Sequence, residues 1–334
     1  MDERALLQRL ITGPVSGDAL AREVGQTRAA VWKRIESLRQ AGVAIDARPG
    51  QGYALAQPLD LLDAAHIQRS LSHCARQRLS ACEVAWTIDS TNSALMAAPV
   101  SADGLGRVLL AERQTAGRGR RGREWASPLA AHLYLSLARA FGGGLARLGG
   151  LSLVAGVATV EALHALGVTA ARLKWPNDVV VLDERGLRKL GGLLVEGSGE
   201  HAGPVRAVIG LGLNVRMPAE AAASIEQPWC DLAGLAGGSL DRNALAAAVL
   251  EHWLPALDTF EQDGLAPFLA RYAAVDALRG RGIVVQGEHA RLEGIAHGIA
   301  PDGGLEITMP DGATRIVHAG EASLRLAPVT EATA

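Results

Sequence analysis

Between Gly117 and Arg123 the chain reads Gly-Arg-Gly-Arg-Arg-Gly-Arg, with Gln114 shortly before it and Trp125 just after. Four guanidiniums spaced by glycines make a cationic loop able to close over an anion. Their forks suit phosphate and carboxylate, because two parallel N–H bonds match two oxygens. Glycine lets the backbone approach a ligand closely, and the flat indole of Trp125 offers a face to a base. Phosphate plus base points to a nucleotide. Gly117, Gly119 and Gly122 also match the spacing of the dinucleotide fingerprint G-x-G-x-x-G, but that motif opens a helix and no long apolar helix begins here. A disordered Gly/Arg tract would be longer and nearer a terminus; this stretch lies between the strand-like runs Val108–Ala111 and Leu133–Leu137.

Four further stretches carry chemistry. Lys174-Trp175-Pro176-Asn177-Asp178 ends an apolar strand, where proline stops the ladder and Asn177 and Asp178 present oxygens; a site and a structural turn are both open there. Lys189 enters a nearly unbroken apolar strand, and an ammonium in that setting needs an anionic partner or a role. Ser90-Thr91-Asn92 offers three small polar groups to a compact ligand, or caps the next helix. Gly210-Leu211-Gly212-Leu213-Asn214 is a strand whose glycines let a ligand lie against its backbone.

The elements that must position these residues fall into three blocks. In residues 1–60, Leu6, Leu7, Leu10 and Ile11 make a helical stripe, and Ser16-Gly17-Asp18 opens a second helix. Thr27 caps a third from Arg28 to Gln40, with Val31, Ile35 and Leu38 inward and Arg28, Lys33, Arg34 and Arg39 outward. Strand candidates Val43–Ala47 and Gly52–Ala56 follow, joined by Arg48-Pro49-Gly50-Gln51. This is the pattern of a winged helix-turn-helix, whose third helix enters a DNA major groove through Thr27, Arg28, Lys33 and Arg34; a small protein-interaction domain is the alternative.

From Glu83 to about Leu235 strands alternate with helices: Val84–Ile88, Val108–Ala111, His132–Leu137, Arg172–Trp175, Val179–Leu182, Gly192–Glu196 and Ala207–Leu213, with helices near Ser93–Ala98 and Gly149–Leu166. This predicts a mixed α+β sheet domain rather than a regular βαβ array. Two helices follow, Asp241–Gln262 and Leu265–Leu278. The tail from Gly282 to Leu326 is short strands and glycine turns, the pattern of a small β-barrel.

At 334 residues the chain has room for two or three domains, and a net charge of −2 argues against nonspecific coating of nucleic acid. Cys74, Cys82 and Cys230 lack paired or metal-ligand spacing and read as reduced thiols. The charged start Asp2-Glu3-Arg4 is not a signal peptide, and the apolar stretch Leu148–Val160 is too short for a membrane span, so the expected setting is cytoplasmic, with no membrane partner.

Taken together and in this order, Ser90-Thr91-Asn92, Gln114, the Gly117–Arg123 loop with Trp125, Lys174–Asp178, Arg188–Gly192 and Gly210–Asn214 resemble the biotin–protein ligases. The winged helix in front makes the chain similar to their bifunctional subclass, in which the ligase also represses a biotin operon. The resemblance spans nearly the whole chain. It implies a winged helix-turn-helix domain at 1–60, a class II synthetase-like catalytic domain at 61–278 and an SH3-like barrel at 279–334. It implies two half-reactions with biotin, ATP and Mg²⁺: formation of biotinyl-5′-AMP, then transfer of biotin to a lysine of a biotin carboxyl carrier protein.

On this resemblance Lys189 and Arg120 are the expected catalytic residues. Ser90, Thr91, Asn92, Gln114, Arg118, Gly119, Arg120 and Lys189 bind biotin; Arg118, Arg121, Trp125, Asn177, Lys189, Asn214 and Trp229 bind the nucleotide; Asp178 helps place Mg²⁺. Operator DNA and a homodimer formed on biotinyl-5′-AMP are the implied regulatory partners. Three features depart from the family pattern: Gly142–Gly144, His132 before Leu-Tyr-Leu-Ser, and an apparent insertion at Asp183–Leu187. A ligase with a vestigial DNA domain, a biotin-sensing repressor without transfer, and a lipoyl or octanoyl ligase stand as alternatives.

Overall fold

A computed structural model describes residues 2–48, 50, 52–99, 104–199, 203–238, 240–286, 291–319 and 323–326. The first block holds α1 (Glu3–Ile11), α2 (Gly17–Glu23), α3 (Arg28–Gln40) and the antiparallel wing β1 (Ile45–Arg48) and β2 (Gly52–Leu55). Asp2, Ser16 and Thr27 cap the three helices, each side chain accepting the N–H three residues on. Leu6, Leu7, Leu10, Leu20, Val31, Ile35 and Leu38 bury together. The wing begins two residues later than the hydrophobic pattern predicts; Pro49 and Gln51 of its joining turn lie outside the described residues.

The central block follows with α4 (Ala64–Ser70), α5 (His73–Gln77), β3 (Leu79–Ala85), α6 (Thr91–Ala97), β4 (Gly106–Ala111), β5 (Leu133–Phe141), α7 (Leu151–Ala165), β6 (Ala171–Lys174), β7 (Asp178–Asp183), β8 (Gly186–Gly199) and β9 (Val205–Leu213). The short helices α8 (Ala219–Ala222) and α9 (Leu232–Ala236) lead to α10 (Arg242–Asp263) and α11 (Leu269–Val275). The seven strands lie in the order β3-β4-β5-β9-β8-β7-β6, parallel between β3 and β4 and antiparallel elsewhere. The expected mixed sheet is present. The two early helices α4 and α5 and the first half of β3 carry too few periodic residues to be read in advance. The Asp183–Leu187 stretch forms the tip of the β7–β8 hairpin, with Glu184 and Arg185 as its turn.

One face of the sheet is apolar and covered by α7 and α10. Leu133, Leu135 and Leu137 of β5 and Ala207, Ile209, Leu211 and Leu213 of β9 point into this core. Helix α7 buries eleven of its fifteen residues. By length and composition Leu145–Ala165 is apolar enough to cross a membrane, and here it is the core helix. Trp253 of α10 locks against it, its indole N–H reaching Ala155 O and Thr159 Oγ1. Because side chains alternate along a strand, the same strands turn Ser136, Gly210 and Gly212 to the opposite face, where the chemistry-bearing loops gather.

The last block is a five-stranded antiparallel sheet, β10 (Gly282–Gln286), β11 (Arg291–Ile299), β12 (Leu305–Thr308), β13 (Thr314–Val317) and β14 (Ser323–Leu326), in the order β13-β12-β11-β10-β14. Trp175, 1% exposed, ties it to the central block by donating its indole N–H to Gly303 O at 3.0 Å.

Candidate active site

Strand β3 delivers the chain to Ser90, which caps α6, so Thr91 and Asn92 begin that helix directly over β5 and β9. All three are buried, and buried polar groups must find partners. The Thr91 backbone N–H and hydroxyl reach Gln114 Oε1 at 2.9 and 3.1 Å, and the hydroxyl lies 2.7 Å from Ser136 Oγ. Ser136 in turn donates to Asn92 Oδ1 at 2.6 Å. The Asn92 amide donates to Leu194 O and to Glu196 Oε2. Gln114 is held against this cluster by the Ile88–Gln114 bridge and bonds Ser127 at 3.4 Å. The result is a polar floor for a ligand with several donors and acceptors. Gly210 is required beneath it: a Cβ there would lie 2.2 Å from Asn92 Oδ1.

The Gly-Arg loop closes on itself, Gly119 N–H to Arg123 O and Trp125 N–H to Gly117 O, around a single turn of 3₁₀ helix at Arg120–Gly122. Arg121 takes the left-handed conformation at φ 59°, which disfavours a side chain with a Cβ. Arg118 pairs with Glu196 at 3.1 Å and bonds Ser93. Arg120 reaches across the site to Asn177 Oδ1 at 3.1 Å and donates to Ala319 O of the C-terminal block. Burial holds its pKa below the usual arginine range, opposed by Asp178 and reinforced by Arg121. The side chains of Arg121 and Arg123 are exposed and make no hydrogen bond among the described residues. Trp125 lies so close to β9 that a Cβ on Gly212 would be 2.5 Å from its ring. Its indole N–H is buried with no acceptor among the described residues.

Lys189 reaches this face through a bulge. The β7–β8 register slips between Val179–Gly191 and Val180–Lys189, leaving Leu190 as the extra residue. Without the slip, Lys189 would share the core-facing parity of Leu193. With it, the ammonium stands 2.8 Å from Asp178 Oδ1 and 5.4 Å from the centre of the Trp125 ring. Lys174 approaches the other Asp178 oxygen at 3.9 Å. Burial lowers the Lys174 pKa; Asp178 opposes this, while Lys189, Arg123 and Arg325 push it down further. Two lysines thus flank one carboxylate within reach of an arginine loop, a surplus of positive charge that calls for an anionic ligand.

Asn214 closes the far wall, its amide spanning Cys230 O at 3.1 Å and Lys189 O at 3.4 Å, while Trp229 bridges alongside Lys189. His132 fixes this strand end: its Nδ1 accepts the Val215 N–H at 3.2 Å. Complete burial drives its pKa down to about 3, and the Arg242 charge adds to this, so the ring is neutral and Nε2 carries the proton.

The structure therefore brings Ser90, Thr91, Asn92, Gln114, Arg118, Gly119, Arg120, Trp125, Asn177, Asp178, Lys189, Asn214 and Trp229 to one face of the sheet, and leaves Arg121 pointing to solvent. Thr27, Arg28, Lys33 and Arg34 lie apart on α3; Thr27 caps that helix, Arg28 pairs with Asp18 at 3.3 Å and Arg34 bonds Gln26. Ser136 and Glu196 escaped the reading of the sequence. Each shares its strand with other polar residues, Arg139 on β5 and Arg188 and Lys189 on β8, so nothing in the pattern singles it out. No group of three metal-ligating side chains occurs among the described residues, and Asp178 is already engaged by two lysines, so the residues do not form a protein cage for a metal.

A helix-turn-helix unit, a mixed-sheet core with a cationic loop over a buried polar floor, and a small terminal sheet define a ligase joined to a DNA-binding module. Residues 84–214 match the biotin/lipoate A/B protein ligase family, residues 3–54 a helix-turn-helix domain, and residues 280–325 the biotin protein ligase C-terminal domain. The bifunctional ligase/repressor BirA of Salmonella typhimurium is 40% identical, with 93% of both chains covered, and that of Escherichia coli 39%, again with 93% of both. The Aquifex aeolicus biotin protein ligase solved with biotin and ATP superposes with a TM-score of 0.60 at 28% identity, covering 74% of this chain and 99% of that one. The chain belongs to the biotin protein ligase family, and within it to the bifunctional ligase/repressors.

Proposed function

We propose that this protein activates biotin with ATP and transfers it to a carrier lysine. The biotin carboxylate attacks the α-phosphorus of ATP, the bond to the β-phosphate oxygen breaks, and pyrophosphate leaves. The carrier amine then attacks the acyl carbon of biotinyl-5′-AMP, losing a proton as AMP departs. The observation that carries this reading is the enclosure of Lys189 and Asp178 by Arg120, which spans from the loop to Asn177 and the terminal block.

Both reactants of the first step are anions, so the site must cancel charge while aligning them. Arg118 and Arg120 hold carboxylate and phosphate oxygens. Lys189 supplies a point charge beside the forming acyl phosphate, and Asp178 keeps its ammonium aimed. Mg²⁺ enters with the polyphosphate as part of the MgATP substrate. Ser90, Thr91, Asn92 and Gln114 take the ureido ring, with Gly119 allowing close approach. Trp125, Asn214 and Trp229 flank the adenylate, and the unpartnered Trp125 N–H is a donor for it. Arg121 and Arg123 swing in from solvent as the loop closes, which shields the mixed anhydride from water.

The N-terminal domain binds operator DNA as a homodimer formed on biotinyl-5′-AMP, in a cytoplasmic setting. A biotin carboxyl carrier domain incubated with this protein, biotin and MgATP should gain one biotinyl mass on one lysine. Absence of that increment, with biotin still bound, would make the site a sensor. An increment with lipoate in place of biotin would reassign the substrate.

A further inference from the structure

Helix α3 buries Val31, Ile35 and Leu38 and leaves Trp32 53% exposed, the most open of the large apolar side chains among the described residues. A single exposed apolar residue ordinarily needs no explanation. This one sits at the fifth position of the helix that a helix-turn-helix sends into the major groove. At about 100° per residue, Trp32 lies on the flank shared with Arg28 and Ala29 one turn earlier, with Lys33 beside it. All four are exposed.

The charges around the indole select its partner. The Arg28 side chain is 74% exposed and steadied over Asp18, and Lys33 has no ion-pair partner among the described residues. The one acid on this flank, Glu36, is drawn off by Arg39 at 2.5 Å. An apolar plate rimmed by cations fits a surface that is polyanionic at its edges and carries apolar groups inside. The major groove is such a surface, with phosphates at its rims and the thymine 5-methyl group as its apolar feature.

We propose that Trp32 determines operator specificity by packing its indole against the 5-methyl group of a thymine, while Arg28 and Lys33 hold flanking phosphates. This rests on the DNA-binding reading of the N-terminal domain. The test uses the full chain with biotin and MgATP, on a duplex recovered with it by in vitro selection, in which each thymine is replaced in turn by uracil. One uracil per half-site should weaken binding by about 5-fold or more. Trp32→Ala should bind the parent duplex more weakly by a similar factor and no longer distinguish thymine from uracil there. Lys33→Ala should weaken every duplex alike and flatten the salt dependence. Adenylate formation should stay unchanged in both variants.

Trp32→Ala with unaltered affinity and thymine preference would overturn the proposal, as would weakened binding that still senses the methyl group. Loss of ligand-induced dimerisation on sedimentation, with thymine preference kept, would assign the indole to a second copy instead. Failure to recover any duplex would remove the DNA reading itself, and the proposal with it.

Discussion

Arg120 joins three parts of the molecule through one side chain: the loop that carries it, Asn177 beside the site and the terminal block. Hydrogen bonds to charged groups contribute about 1.5–3 kcal/mol, so Arg120→Gly should let biotinyl-5′-AMP escape roughly 10- to 100-fold faster, while the fold survives. Trapping of free intermediate during single turnover measures this, and normal retention would refute it. Lys189→Ala removes a cation aimed at developing charge and should slow adenylate formation by about 100-fold, read from the pyrophosphate burst. His132 gives a pH signature. Its folded pKa of about 3 lies below its unfolded value, so the unfolded chain takes up a proton that the folded chain refuses. Stability is then fully present above pH ~6.5 and is lost as pH falls toward 3, by about 2 kcal/mol between pH 6.5 and 5. Asparagine can accept the same Val215 N–H without titrating, so His132→Asn should lose less between urea midpoints at pH 7 and pH 5.

At the scale of elements, strand β9 presents two faces with opposite demands. Its odd-numbered residues are apolar and close the core, while Gly210 and Gly212 make room for Asn92 and Trp125. Gly210→Ala would force its methyl onto the Asn92 amide, and overpacking of this kind costs about 1–3 kcal/mol. The Asn92–Ser136–Thr91 chain would shift with it. A several-fold higher KM for biotin with a modest drop in Tm is the expected result, and an unchanged KM would show that this chain of bonds does not contact the ring system. Parity along β8 depends on the Leu190 bulge, which places Lys189 on the same face as Gly192 and Glu196.

Across the whole molecule, the loop that caps the site is continuous with the packing of the DNA-binding domain. Just beyond Trp125, Leu129 and Ala130 bury within the helix-turn-helix core, and Leu129 N–H bonds Ala41 O at 2.8 Å. A second tie runs through Arg242, fully buried, which bonds Glu112 at 2.8 Å and Asp60 of the linker. The 117–125 loop thus runs directly into the segment on which the N-terminal domain seats. Leu129→Ala should destabilise the N-terminal domain by about 2–5 kcal/mol and loosen the loop's anchor. Faster tryptic cutting at Arg118–Arg123 is the readout, and cutting at the parent rate would sever the link.

Read alone, the sequence determined the three blocks, the capped helix α3, the strand alternation and the Gly-Arg loop. These are local properties: caps, periodicity and glycine spacing act within a few residues. It also marked Lys189 as anomalous, since an ammonium in an apolar strand stands out. Only the tertiary structure decided that Lys189 meets Asp178, because a one-residue bulge sets that parity and leaves no trace in the hydrophobic pattern. The same holds for Trp175, which seemed part of a site motif and instead seats the terminal block. It holds for Arg242, Glu112 and Asp60, separated by up to 182 residues and joined because a buried charge must find its partners wherever the fold brings them.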